Sequence, residues 1–74
     1  DYHRAVALAR RPRYLAGRAL ARKRLGDLEG ALHDLDESVA LAPDDGHVRV
    51  NRALARDEQG DTRGALEDLD RAVD

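Results

Sequence analysis

Residues 12–45 read PRYLAGRALARKRLGDLEGALHDLDESVALAPDD, and the same pattern returns in residues 46–74. A shift of 34 positions superposes residues 18–22 (RALAR) on residues 52–56 without a gap. The same shift carries the remaining matches, which are the pair Gly26 and Asp27 onto Gly60 and Asp61, GAL onto GAL, DLD onto DLD, and Val39 onto Val73. A period of this length indicates an array of helical repeats, in which each unit buries its apolar side against the next.

The beginning of the chain belongs to the same series. A shift of 33 positions superposes Tyr2, Val6 and Leu8 on Leu35, Val39 and Leu41. We therefore interpret residues 1–74 as a single domain of about two repeats with a leading half repeat. Residues 1–11 are the second helix of a preceding repeat, residues 12–45 are a full repeat, and residues 46–74 are a second one.

Each unit has the sequence of a helix pair. Pro12 suits a first helical turn, Gly26 suits the left-handed position after a last turn, and Asp27 suits the cap of the next helix. Apolar residues at spacings of three and four then form one stripe, which places Asp34 and Ser38 towards its flanks. We predict helices near 13–25, 28–42, 47–59 and 62–74, with a leading one near 1–9.

Two charged pairs recur with the repeat. Arg18 and Asp34 are 16 residues apart, and so are Arg52 and Asp68. We predict that each arginine pairs with its aspartate across the helix pair. In other respects we interpret the acids of the second helix, Asp34 and Asp36 among them, as a solvated face.

The unit PRYLAGRALARKRLGDLEGALHDLDESVALAPDD resembles the tetratricopeptide repeat (TPR) family, and the resemblance covers the whole chain. Ala19, Ala31, the turn at Gly26 and Asp27, and the closing Pro43 stand where that family has small residues, its turn and its proline. The resemblance implies an all-α fold of antiparallel helix pairs stacked as an α-solenoid. The chain departs from the family in its first helices, where Leu15 is retained but arginines replace the usual large apolar residues: Arg18, Arg22, Arg49, Arg52 and Arg56.

In this family the first helix of each pair lines a concave groove that binds peptides or helices. Carried over to this chain, the peptide-binding set is Arg13, Ala16, Gly17, Leu20, Arg24, His47, Val50, Asn51, Leu54 and Glu58. Only Asn51 matches the family's clamp for a peptide carboxylate, so a chaperone clamp is not supported. An apolar floor with a basic rim would suit an acidic amphipathic segment.

The resemblance therefore implies a scaffold for protein–protein interactions, and the composition argues against catalysis. The chain has no Cys, and its only hydroxyl residues besides tyrosine are Ser38 and Thr62. We predict no enzyme activity, no cofactor and no metal site, since His33 has only Glu37 one turn away as a co-ligand.

Charge leaves an alternative open. Residues 1–25 carry eight bases against the single acid Asp1, although the whole chain has a net charge of −2. An RNA-binding helical repeat is therefore a second hypothesis, and a structural spacer within a larger enzyme or regulator is a third. Nucleic acid is disfavoured because the only aromatic residues are Tyr2 and Tyr14.

Three further expectations concern the setting of the chain. No apolar run reaches the roughly 20 residues that a membrane helix needs, so we expect a cytoplasmic protein without a membrane partner. The preference for Arg over Lys, with abundant Ala, suggests a fragment of a larger bacterial protein. Because apolar stripes at both repeat ends lack a covering unit, we also expect self-association.

Overall fold

A computed structural model of the chain describes residues 11–73, which form four α-helices and contain no strand. The helices are α1 (Pro12–Arg24), α2 (Leu28–Leu41), α3 (Gly46–Gln59) and α4 (Thr62–Ala72). The protein is all α, as predicted, and the predicted helix bounds agree with these to within two residues. The helix predicted near 1–9 lies outside the described residues.

Consecutive helices pack against each other in an antiparallel manner. Arg18 in the middle of α1 contacts Asp34 of α2, whereas the hydroxyl of Ser38, one turn further along α2, donates to the carbonyl of Pro12 at the start of α1. In α3 and α4, Arg52 contacts Asp68 and Arg56 donates to the carbonyl of Gly64. In both pairs, residues later in the first helix contact residues earlier in the second, so the two helices are antiparallel.

The two pairs meet through α3. Arg52 of α3 contacts Asp36 of α2. Helix α1 contacts α3 at both ends: Arg13 pairs with Asp45, which caps α3, and Lys23 pairs with Glu58. Those last two contacts join the starts and the ends of α1 and α3. The two first helices therefore lie side by side and run in the same direction.

Both turns within the pairs have the geometry that their residues predict. Gly26 has φ +88° and Gly60 has φ +97°, the left-handed region in which glycine carries no Cβ penalty. The N–H groups of Asp27 and Asp61 return to the carbonyls of Arg22 and Arg56 at 2.8 Å, which closes a Schellman turn at each site. The carboxylates of Asp27 and Asp61 then accept from N–H groups in the first turns of α2 and α4. The predicted turns and caps are confirmed.

Replacing Gly60 by Val should lower the free energy of unfolding by about 1–2 kcal/mol, because a side chain with two branches at Cβ resists the left-handed region. Gln59→Val is the matched control, since Gln59 is an exposed residue of α3 with ordinary helical geometry. Urea denaturation followed by circular dichroism measures both. Equal losses in the two variants would show that residue 60 does not need the left-handed conformation.

The core between the helices is built mainly from small residues. Ala16, Ala19, Ala31 and Ala55 form one cluster with three larger apolar side chains, Leu35, Val39 and Val48. Small side chains let the helix backbones approach closely, but they bury little apolar area per residue. Polar contacts at the edges of this thin core therefore contribute more to fixing how the helices pack against each other.

One of those polar contacts is made by Ser38, which the apolar stripe places towards the flank of α2 and which its small size, at a position where the repeat has alanine, predicts at a helix contact. Ser38 is fully buried, and its hydroxyl donates to the carbonyl of Pro12. The alanine that the repeat places at the equivalent position 72 could not make this bond. Ser38 is thus a small residue at a helix contact whose hydroxyl ties α2 to the start of α1.

Candidate functional site

Two aspartates are buried at equivalent positions of the two helix pairs. Asp34 is 0% exposed and Asp68 is 1% exposed. Arg18 donates from Nε and Nη2 to the two oxygens of Asp34 at 3.0 and 2.8 Å, and Arg52 does the same to Asp68 at 2.8 and 2.7 Å. These two-point contacts confirm the predicted pairs. They also show that assigning Asp34 to a solvated face was wrong, since the arginine and the packed helices cover its carboxylate.

More arginines contact Asp68 than contact Asp34, the equivalent residue of the first pair. Arg49 Nη1 and Arg56 Nη1 each lie 3.2 Å from an oxygen of Asp68, in addition to the contact with Arg52. Asp34 has one such addition, Arg22 Nη1 at 3.4 Å. One buried carboxylate therefore holds three guanidinium groups in the second pair, and we call these four residues the arginine cluster.

Arg49 stands at the position that Leu15 occupies in the first repeat. Leu15 is 1% exposed and Arg49 is 6% exposed, so both side chains are buried there. Arg49 fills the place with its stem and satisfies its head group by donating from Nε to the carbonyl of Pro43 and from Nη1 to Asp68. A position that needs an apolar residue in one unit thus accepts arginine in the other.

The cluster lowers the pKa of Asp68. Burial by itself would raise that pKa, but the hydrogen bond from Arg52 and the charges of Arg52, Arg56 and Arg49 outweigh it. The same hydrogen bond raises the pKa of Arg52, against the opposing effect of burial. The ionised forms of both groups are therefore favoured in the folded protein.

A lowered pKa in the folded state makes the stability depend on pH. The ionised Asp68 contributes stability above the pKa of an unfolded aspartate, about 3.9, and that contribution is lost as the pH falls through the lower folded value. We expect an NMR titration of the Asp68 carboxyl carbon to give a midpoint below 3.9 and the urea midpoint to fall in the same pH range. A titration midpoint at or above 3.9 would contradict this account of the cluster.

The predicted peptide-binding residues lie on the surface formed by α1 and α3, and part of the set comes together. Leu20, Asn51 and Leu54 line a shallow cleft between the two helices, with Ala16 beneath them. The cleft has a volume of about 20 Å³, which is room for about one water molecule. It is far too small to enclose a metabolite, since such pockets measure about 300–1,000 Å³.

Polar pairs stand at the two ends of this surface. Arg13 Nε lies 3.3 Å from an oxygen of Asp45, and Lys23 Nζ lies 3.7 Å from an oxygen of Glu58. Asp45 also caps α3, because its carboxylate accepts from the N–H of His47 at 3.0 Å. We call the α1 and α3 surface between these two pairs the inner face.

The remaining predicted residues do not line the cleft. Gly17, Arg24, His47 and Val50 are exposed on α1 and α3 outside the cleft. The cleft instead includes Lys23, which is not in the predicted peptide-binding set. Lys23 follows Ala16 by seven residues and Leu20 by three, a helical spacing that could have placed it on the same side. Three small or apolar side chains complete the lining: Ala19, Leu35 and Ala55.

A third group of titratable residues lies on α2. His33, Asp34 and Glu37 bring one possible ligand atom each within 4.8 Å of one another. The carboxylate of Asp34 is already bound by Arg18 and contacted by Arg22, and these cations oppose a metal ion at the same oxygens. The group therefore does not support a metal site.

No family model matches the chain, and comparisons with curated proteins and with solved structures found no match either. The resemblance to the TPR family therefore rests on the residues of the repeat. Within residues 11–73, no helix combines the length and the apolar character needed to cross a membrane.

Proposed function

We propose that the chain is a TPR-like scaffold that holds a peptide or helix of another protein on its inner face. In this arrangement the two helix pairs stack as units of an α-solenoid, with α1 and α3 as the inner row and α2 and α4 as the outer row. The parallel contact of α1 and α3 and the 34-residue period support the proposal. So does the resemblance of the repeat to the TPR family.

The observation that carries the proposal is the row of apolar side chains on the inner face. Leu20 is 42% exposed, Val50 is 37% exposed and Leu54 is 52% exposed, although each sits on a helix that is packed on other sides. Apolar patches rimmed by polar residues mark interaction sites. The cleft between Leu20 and Leu54 is too shallow to enclose a small molecule, so a peptide or helix would pack across the surface that these leucines form.

The charges around the inner face favour an acidic partner. Arg13 keeps 72% of its side chain exposed while it pairs with Asp45, and Arg24 is exposed on the same helix. Exposed pairs contribute only about 0–1 kcal/mol, so an incoming carboxylate can replace the internal partner at small cost. An amphipathic segment with leucines on one side and acids on the other matches both features.

Leu54→Glu should weaken peptide binding about tenfold or more, because it places a charge in the middle of the apolar row. The probe is the strongest binder from a displayed library of amphipathic peptides with acidic flanks, labelled with fluorescein and followed by anisotropy. Leu66→Glu is the matched control, since Leu66 is 55% exposed on α4, away from the inner face.

Two results would overturn the proposal. One is a library without a binder, or a binder that loses as much affinity in Leu66→Glu as in Leu54→Glu. The other is preferential binding of a single-stranded RNA oligonucleotide whose affinity falls steeply with salt, which would favour the RNA-binding alternative.

A further inference from the structure

A cavity of about 280 Å³ lies between α3 and α4, and every side chain that lines it is charged. The lining residues are Arg49, Arg52, Arg56, Glu67, Asp68 and Arg71. Four arginines against two acids give the lining a net charge of +2. We call this cavity the charged pocket. Its lining offers nothing to an apolar ligand and favours an anion, because arginine binds oxyanions through charged hydrogen bonds.

The first helix pair lacks this excess of charge at the equivalent positions. A shift of 34 residues places Leu15 at the position of Arg49 and Glu37 at the position of Arg71. The other four equivalents are Arg18, Arg22, His33 and Asp34. The first set therefore balances two arginines with two acids. Arg49 and Arg71 lie 22 residues apart in the sequence, yet both departures from the repeat add positive charge to the same cavity.

Part of this positive charge is accessible to a ligand. The carboxylate of Asp68 is buried and can neutralise only one of the three guanidinium groups of the arginine cluster. Nη2 of Arg56 makes no hydrogen bond to any residue between 11 and 73, and 24% of that side chain is exposed. Arg71 is exposed as well, whereas Arg49 is 8% exposed and its charge is weakly screened by water. An anion can therefore bind Arg56 and Arg71 while Asp68 keeps its own contacts.

The part of the chain that precedes the second helix pair leaves the charged pocket open. That part is α2 with the turn after it, and it approaches the pocket at two points. Asp36 contacts Nη1 of Arg52 at 3.3 Å, and the carbonyl of Pro43 accepts from Nε of Arg49. Asp36 is 63% exposed, so solvent screens its charge more than that of the buried arginines. Helices α2, α3 and α4 thus define the pocket without residues 1–10.

We propose that the charged pocket binds the phosphate group of a phosphate monoester, whose oxygens accept hydrogen bonds from Arg56 and Arg71. Such a group carries about two negative charges at neutral pH and has three strong acceptor oxygens, so it matches the net charge of the lining, whereas a carboxylate matches half of it. The volume is just below the range of about 300–1,000 Å³ that encloses a whole small molecule. The phosphate therefore enters and its carrier stays at the surface. None of these residues belongs to the inner face, so the site is independent of the proposed scaffold function.

A titration with methyl phosphate tests the proposal, with the NMR signals of the arginine Nε–H groups as the readout at neutral pH and constant ionic strength. We expect the signals of Arg56 and Arg71 to shift saturably with a Kd of about 1 mM. Arg71→Glu should weaken binding about tenfold or more, because it replaces a donor by a charge that repels the ligand. Arg63→Glu is the matched control and should keep the Kd within about twofold. Arg63 is exposed on the same helix and does not line the pocket.

Arg49→Leu is a second test, because it gives the second pair the buried leucine that the first pair has at residue 15. It should also weaken binding about tenfold or more. Both variants should keep the helical circular dichroism of the wild type, and Arg71→Glu alone decides the matter if Arg49→Leu does not. A phosphoserine pentapeptide and glycerol 3-phosphate then distinguish a phosphorylated protein from a phosphorylated small molecule, since the right carrier binds more tightly than methyl phosphate.

Methyl sulfate tests whether the pocket recognises a doubly charged group, since it has a similar shape but a single negative charge. It should bind at least about fivefold more weakly than methyl phosphate. Four results would each overturn the proposal. They are the absence of saturable shifts up to about 20 mM methyl phosphate, equal weakening by Arg63→Glu and Arg71→Glu, unchanged binding in a folded Arg49→Leu, and equal binding of methyl sulfate.

Discussion

Replacing Asp68 by Ala should lower the free energy of unfolding by about 3 kcal/mol. The change leaves the guanidinium groups of Arg49, Arg52 and Arg56 facing one another around an empty place, and removing one partner of a buried ion pair costs about 3–5 kcal/mol. We expect the lower end of that range because Arg52 and Arg56 keep 14% and 24% of their side chains exposed. Water can therefore reach part of the released charge.

Urea denaturation followed by circular dichroism measures this loss, with Glu67→Ala as the matched control. Glu67 precedes Asp68 on α4 and is exposed, so its replacement should change the free energy of unfolding by no more than about 0.5 kcal/mol. Since domains have about 0.05–0.15 kcal/mol of stability per residue, the loss at Asp68 is a large fraction of the total. Similar small effects in the two variants would show that the arginine cluster does not stabilise the fold.

Leu35→Ala should cost about 3 kcal/mol, whereas Leu69→Ala should cost about 1 kcal/mol in dilute solution. The two leucines occupy the same position of the repeat, but Leu35 is 3% exposed between α2 and α3 and Leu69 is 40% exposed on α4. Truncation of Leu35 leaves a cavity in the centre of a thin core. Truncation of Leu69 removes a side chain that already contacts water.

The comparison is internally controlled because residue type, helix position and substitution are the same. Urea midpoints at about 5 µM, where dilution opposes self-association, give the two free energies. A loss at Leu69 equal to the loss at Leu35 under these conditions would contradict the exposed position of α4.

The local chemistry of the turns explains why much of the fold could be predicted from the sequence. Gly26 and Gly60 need the left-handed region, and Asp27 and Asp61 supply the cap of the next helix, so four residues define both helix pairs. The 34-residue period predicts that the two helix pairs make equivalent contacts. Because the separation of Arg18 and Asp34 recurs in Arg52 and Asp68, the contact within each pair could be predicted from the sequence.

Burial of charge could not be predicted in the same way. A helical pattern assigns Asp34 to the solvated side, and only the position of α1 shows that arginine stems cover it. The burial of Arg49 could not be predicted either. Its position is equivalent to that of Leu15, but the sequence does not show that Asp68 and the carbonyl of Pro43 accept hydrogen bonds from its guanidinium group. Lys23 could not be placed in the cleft from the sequence, because it lies between Arg22 and Arg24 in the basic last turn of α1, which by itself indicates a solvated helix end.

The proposed scaffold function is tested most directly by a two-dimensional NMR titration of the ¹⁵N-labelled chain with the selected acidic peptide. The sample is the wild-type chain at a concentration at which sedimentation gives the mass of a single chain. The account predicts that the amide signals of Leu20, Asn51 and Leu54 shift with the peptide while those of α4 stay in place. Shifts confined to α4 or to the arginine cluster, with the inner face unchanged, would contradict it.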